Sequence, residues 1–195
     1  SKRYYTIMTT VEYADYIKQN FDQNRYASLI SNIGDQLNDR KDRFDKSDII
    51  EQSFEVYSNN VFEWVDEIGR DHRDNSNNID LEFKFMADGL YTKVKKDTKK
   101  SVTVKVKNSL GENKGTKISD PADYYVLAQQ DAMSIISCEE IKPFLISVPD
   151  GIEAKIPFDA LTVVFTPADV SVSLNEDINY KEIKAEAQRQ LINSF

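Results

Sequence analysis

The apolar positions of the first third of the chain recur at helical spacing. Thr10 is the expected cap of a helix over VEYADYIKQNF, with Val11, Ala14, Tyr16 or Ile17, and Phe21 on one side. RYASLISNIGDQLNDRKDRF sets Tyr26, Leu29, Ile30, Ile33 and Leu37 on one face, weakened by Gly34, and would pair with the first as antiparallel helices. The strongest helical pattern runs from Ser47 to Gly69 through Ile50, Phe54, Tyr57, Val61, Trp64, Val65 and Ile68. The polar run RDHRDNSNN ends it and reads as a connector.

Beyond that run the period drops to two. In IDLEFKF, residues Ile79, Leu81, Phe83 and Phe85 face one way and Asp80, Glu82 and Lys84 the other, the signature of a half-buried strand. GLYTKVKK and SVTVKVKNS, joined by DTKK, predict a β-hairpin with Lys105 and Lys107 on the face opposite Val102, Val104 and Val106. LGENKGTKISDP reads as a loop, DYYVLAQQ and AMSIIS as strands, and CEEIKPF as a helical turn ending before Pro143. FLISVP and LTVVF are further strand candidates, and NYKEIKAEAQRQLINSF predicts a closing amphipathic helix. Helices, then consecutive strands, then a helix give an α+β class with a central mixed or antiparallel sheet. A chain of 195 residues fits one domain. It divides into a helical subregion over 1–46, a core over 47–148, and a terminal strand and helix over 149–195.

Charge adds a second layer to this picture. Nine lysines lie between Lys93 and Lys117, opposed only by Asp97 and Glu112, in a chain of net charge −8. The window carries about +7 and the remainder about −15, a segregation suited to a polyanionic partner. Tyr91 shares a strand face with Lys93 and Lys95, where an aromatic ring can stack on a base. Lys105 and Lys114 extend the same basic segment. The single cysteine, Cys138, and single histidine, His72, exclude an intrachain disulfide and multi-histidine metal centres. Cys138 reads as a structural thiol, His72 as a loop residue, and the chain as cytoplasmic, with no apolar run able to span a bilayer.

Asp80, Glu82 and Lys84 recur every second residue along one strand face and form a trio able to hold Mg²⁺ through oxygen while an ammonium polarises water or phosphate. An acidic helix, a strand with Asp, a strand ending in Lys-Asn-Ser and a strand opening with Asp-Tyr-Tyr together resemble the PD-(D/E)XK, restriction-endonuclease-like, nuclease superfamily over residues 47–148. The resemblance implies an Mg²⁺-dependent endonuclease acting on DNA, often as a homodimer. It implies Lys107 as the lysine, Asp80 or Asp88 as the leading acid, Glu82 as a further metal ligand, and Glu55 or Glu63 as the helical ligand. Lys105 stands where the superfamily carries an acid two residues before Lys107. DLEFK offers a second register with Glu82 and Lys84, in which Asp80 lies too close to be the upstream acid. Two further readings stay open: a non-catalytic module that binds nucleic acid or an acidic protein through the lysines, and an acidic DNA mimic for a basic protein.

Overall fold

The computed structural model describes residues 8–33, 40–67, 70–86, 101–108, 122–149 and 151–171. Three helices come first: α1 (Thr10–Asn20), α2 (Gln23–Ile33) and α3 (Arg40–Tyr57). Thr9 rather than Thr10 caps α1, its hydroxyl accepting from the Glu12 amide at 3.1 Å. Gly34 and Leu37, in the second predicted helix, and the predicted C-terminal helix lie outside the described residues.

The helical pattern from Ser47 to Gly69 breaks at Tyr57. Ser58, Asn59 and Asn60 form a turn in which Asn59 and Asn60 have φ of 51° and 66°. Asn tolerates this left-handed backbone better than branched residues do. Ser58 fixes the turn by donating to the Glu55 carbonyl at 2.9 Å and accepting from the Phe62 amide at 3.1 Å. The chain then enters strand β1 (Phe62–Glu67), whose Phe, Trp and Val also suit a pleated surface. The polar run is likewise no connector: Arg70–Asp74 is strand β2, and Asn75 to Asn78 turn it into β3 (Ile79–Phe85).

The remaining strands are β4 (Ser101–Asn108), β5 (Tyr124–Ala128), β6 (Met133–Ser137), β7 (Leu145–Val148), β8 (Gly151–Pro157) and β9 (Thr162–Phe165), with a helical turn, α4 (Cys138–Ile141), after β6. They build a six-stranded mixed sheet in the order β1-β2-β3-β5-β6-β9 and a three-stranded sheet in the order β4-β8-β7. Within the larger sheet β3 and β5 run parallel and the other neighbours antiparallel. An α+β fold with a mixed central sheet is therefore observed.

The large sheet is covered on both sides. One face packs Leu81, Phe83, Val126, Ile135 and Phe165 against Tyr13, Ile17, Tyr26, Ile50 and Phe54 of the helices. The other packs Tyr125, Leu127 and Ile136 against Val102, Val104, Ala154 and Ile156 of the smaller sheet. Every residue of β5 is buried, as two covered faces require. Burying each large apolar side chain is worth roughly 1.5–3 kcal/mol, so both layers hold the sheet in place. Among the described residues no helix is long and apolar enough to cross a membrane.

The observed partner of β4 is β8, and residues 87–100 of the predicted hairpin lie outside the described residues. The β4–β8 ladder shifts register between Lys105, which pairs with Glu153, and Lys107, which pairs with Ile152. The strict alternation expected across Lys105 and Lys107 is interrupted there.

Candidate active site

Strand β2 is polar, yet its inward residues find hydrogen-bond partners inside the protein. His72 is fully buried, and its Nε2 lies 2.7 Å from the Glu51 carbonyl oxygen on α3. A carbonyl only accepts, so Nε2 carries the proton and Nδ1 is left as a buried acceptor without a hydrogen-bond partner. Burial holds the imidazole near a pKa of about 3, so it is neutral at physiological pH and is no surface loop residue. Asp74, also buried, accepts from the Tyr13 hydroxyl at 3.0 Å and from the Asn77 side chain at 2.8 Å. These bonds give a strand without apolar residues a reason to sit against the helices.

Acids and bases gather where β2 and β3 separate. The pairing runs from Asp74 opposite Ile79 to His72 opposite Leu81, so one further step brings Asp71 beside Glu82. There the ladder gives way to a side chain: the Phe83 amide donates to Asp71 Oδ2 at 2.7 Å. Lys84 Nζ lies 2.9 Å from Glu82 Oε1. The Glu51 side chain reaches the Asp71 carboxyl from α3. Burial first, and the Glu82 charge second, push the Asp71 carboxyl up to about 6, against the opposing pull of the Phe83 amide, Glu51 and Lys84.

The elements behind this cluster fix Glu51 and its neighbour Glu55. The Trp64 indole Nε1 on β1 donates to Glu51 Oε1 at 2.9 Å. The Trp64 main-chain amide donates to Glu55 Oε2 at 2.6 Å, while Glu55 Oε1 is buried without a hydrogen-bond partner. Burial raises the Glu55 carboxyl to about 7. Asp71 thus neighbours Glu51 of α3 and Glu82 and Lys84 of β3, with more acid than base around it.

The candidate residues of the sequence pattern fall differently. Glu82 is in the cluster and Asp80 is beside it, but Asp80 is held by Arg70 at 3.0 Å and Arg73 at 2.6 Å. Its main chain exchanges hydrogen bonds with Asp123, whose carboxylate accepts from the Asp80 amide at 2.8 Å. Asp88, Tyr91, Lys93, Lys95 and Lys114 lie outside the described residues. Lys107 is on β4, in the other sheet, and Lys105 is exposed there, opposite Glu153 and next to the exposed Lys155. Of the helical acids, Glu63 is on β1 and accepts from Asn75.

Asp71 and Glu51 are not picked out by the sequence pattern. The signal for Asp71 is an acid upstream of Glu82-Phe83-Lys84, hidden in a segment that reads as a loop. Because Asp80 serves two arginines, Asp80→Asn should leave any metal-dependent cleavage close to wild type. It should cost no more than about 1 kcal/mol in urea unfolding, the scale of a part-exposed ion pair. Loss of cleavage in a folded Asp80→Asn protein would return Asp80 to the site.

Comparison with known proteins gives no relative: no family model matches the chain, and neither a curated protein nor a solved structure matches it.

Proposed function

We propose that the chain is a metal-dependent endonuclease that hydrolyses DNA phosphodiester bonds, with Glu51, Asp71 and Glu82 as the ligands of a divalent cation and Lys84 as the catalytic lysine. The observation that carries this reading is the meeting of Asp71 with Glu82-Phe83-Lys84 at the splayed ends of β2 and β3, with Glu51 delivered from α3. An acid on one strand, an acid-x-lysine triplet on the next and a glutamate on the preceding helix form the pattern expected of the PD-(D/E)XK superfamily. This register supplies the acid two residues before the lysine that the Lys107 register lacks, and the upstream acid that Asp80 lies too close to provide.

Three carboxyl groups are hard oxygen donors, the donor set Mg²⁺ prefers, and one lysine does not balance their charge. In the present arrangement no three His, Cys, Asp or Glu side chains among the described residues converge closely enough to hold a metal ion. Phe83, Trp64 and Lys84 occupy Asp71, Glu51 and Glu82 respectively, so the fit is one of donor chemistry. When bound, Mg²⁺ supplies Lewis-acid stabilisation of the charge that builds on the phosphodiester oxygens.

The chain's own residues supply the rest. Asp71 gives up its proton to act as a ligand, which ties activity to pH values above about 6. Lys84, in contact with Glu82, orients the attacking water or the phosphate through its ammonium protons. Exposed lysines such as Lys105 and Lys155 add sequence-independent attraction to the phosphate backbone.

The test is incubation of purified protein with plasmid and linear duplex in Mg²⁺ or Mn²⁺ against EDTA, with Asp71→Asn run in parallel. Metal-dependent cleavage lost in that variant is expected. A salt-sensitive mobility shift with no cleavage in any metal would favour the non-catalytic binding module instead.

A further inference from the structure

The three-stranded sheet turns one face to the large sheet and leaves the other in solvent. Val102, Val104, Ala154 and Ile156 enter the second core, so the residues that alternate with them point the opposite way. On that outer face Thr103 lies opposite Lys155, and Lys105 lies opposite Glu153, whose partner on β7 is Ile146. Thr103, Lys105, Lys155 and Ile146 are all exposed.

Two observations set these lysines apart from ordinary surface charges. A lysine on an edge strand keeps that strand from pairing with another chain, which accounts for Lys105 on β4. β8 runs between β4 and β7, so Lys155 has no edge to guard. Lys18, Arg70, Arg73, Lys84 and Lys142 each sit against a carboxylate. Lys105 and Lys155 form no ion pair among the described residues, although Glu153 stands opposite the first and two residues before the second.

β4 also lies inside the segment from Lys93 to Lys117, with nine lysines against two acids in a chain of net charge −8. Positive charge kept together in an acidic chain is complementary to a polyanion. Lys105 and Lys155 are diagonal neighbours on adjacent strands, which sets their stems about 7–8 Å apart. Long side chains at that spacing reach successive phosphates, which follow one another about every 3.4 Å along one strand of DNA. Thr103 adds a hydroxyl donor of the kind that contacts phosphate oxygens. None of the residues named on this face is aromatic, so they offer unpaired bases nothing to stack on, and a duplex backbone fits them better than a single strand. We propose that the outer face of the three-stranded sheet binds the phosphate backbone of duplex DNA through Lys105 and Lys155 without reading its sequence, and that Glu153 limits the affinity. The face is turned away from the large sheet that carries Asp71 and Glu82, so the inference stands independently of the cleavage reading.

In EDTA, which keeps cleavage out of the measurement, the anisotropy of a short labelled duplex should show saturable binding that weakens steeply with salt. A second duplex of unrelated sequence should bind equally well. The double variant Lys105→Ala with Lys155→Ala should lower the slope of log affinity against log salt by about two units. It should weaken binding by about 10-fold or more at ~100 mM salt. Glu153→Gln should tighten binding by about 2–5-fold, the scale of one exposed charge interaction. Lys18→Ala with Arg25→Ala removes the same net charge from the helical layer, on the other side of the large sheet, and should bind DNA like wild type.

Circular dichroism checks that the variants fold, and Glu153→Gln, a gain of binding, cannot be mimicked by unfolding. Equal weakening in the two double variants would reduce the effect to net charge and overturn the face. Tighter binding of a single strand than of the duplex, or binding of polyglutamate with none of DNA, would give the face another occupant and overturn the proposal as well. Duplex binding that follows the pattern above in a protein that cleaves nothing supports the face and counts against the nuclease reading alone.

Discussion

Asp71→Asn should abolish metal-dependent cleavage and at the same time make the protein more stable at neutral pH. The loss of activity is expected to reach about 10³-fold or more, the scale of removing a positioned group that takes part in the reaction. The gain in stability comes from the carboxyl's surroundings. Its folded value of about 6 lies above the ordinary 3.8, so the native state binds this proton more tightly than the unfolded chain does. Below about pH 4 both states are protonated and Asp71 costs nothing. Between about 4 and 6 the unfolded state ionises first, and native stability falls as pH rises until the folded carboxyl has ionised too.

Asparagine never ionises, and its side-chain oxygen can still accept from the Phe83 amide. The displacement from 3.8 to about 6 sets an upper scale of ~3 kcal/mol, and partial solvent screening reduces the expected gain to ~1–2 kcal/mol. Urea unfolding in EDTA should therefore show wild type and variant alike near pH 4 and the variant more stable at pH 8. Adding Mg²⁺ should raise the melting temperature of wild type and leave that of the variant nearly unchanged, because only the former gains from ligand binding. A destabilised variant at pH 8 would mean that Asp71 is a structural acid and not one whose ionised form is kept for function.

The contrast between what the sequence makes visible and what it hides has one physical origin. Strand β3 is visible because Leu81 and Phe83 enter an apolar core while Glu82 and Lys84 do not, and period two records that difference. β2 is hidden because the residues it buries, His72 and Asp74, are polar and are bonded to Glu51 and Tyr13, which no local pattern predicts. The acid that completes the site sits beside them and shares their concealment. The end of α3 is hidden for another reason. Val61, Trp64 and Val65 continue the helical stripe by position, while Asn59 and Asn60 turn the backbone out of it. β8 was within reach of the same rule as β3, since Ile152, Ala154 and Ile156 are buried in alternation, the last two in the second core. The lysine window shows the limit in the other direction. Charge segregation is plain in the sequence, but the face each lysine occupies depends on ladders and bulges, as the shift between Lys105 and Lys107 illustrates.

Lys84→Ala is expected to reduce cleavage by about 10²–10⁴-fold while metal and DNA both still bind. Lys84 Nζ is 2.9 Å from Glu82 Oε1, and Glu82 is the more buried of the two. Without that ammonium, the Glu82 charge acts unopposed on Asp71 and makes it harder to ionise. In the variant, Mg²⁺ binding followed by calorimetry should therefore begin at a higher pH than in wild type, yet still saturate. An ion that replaces a missing positive charge between two carboxylates gains rather than loses attraction once both have ionised. Lys84→Arg should rescue the charge and the pH dependence of Mg²⁺ binding but little of the cleavage, because a planar guanidinium does not reproduce a compact ammonium donor. Lys107→Ala, on a strand of the other sheet, and Lys105→Ala should by contrast cleave near the wild-type rate at saturating DNA. Their effect should appear in DNA affinity and in a shallower dependence on salt, by about one unit of slope for each phosphate no longer neutralised. Should Lys107→Ala be inactive and Lys84→Ala active, the reacting lysine belongs to β4, and the cluster at β2 and β3 has another task.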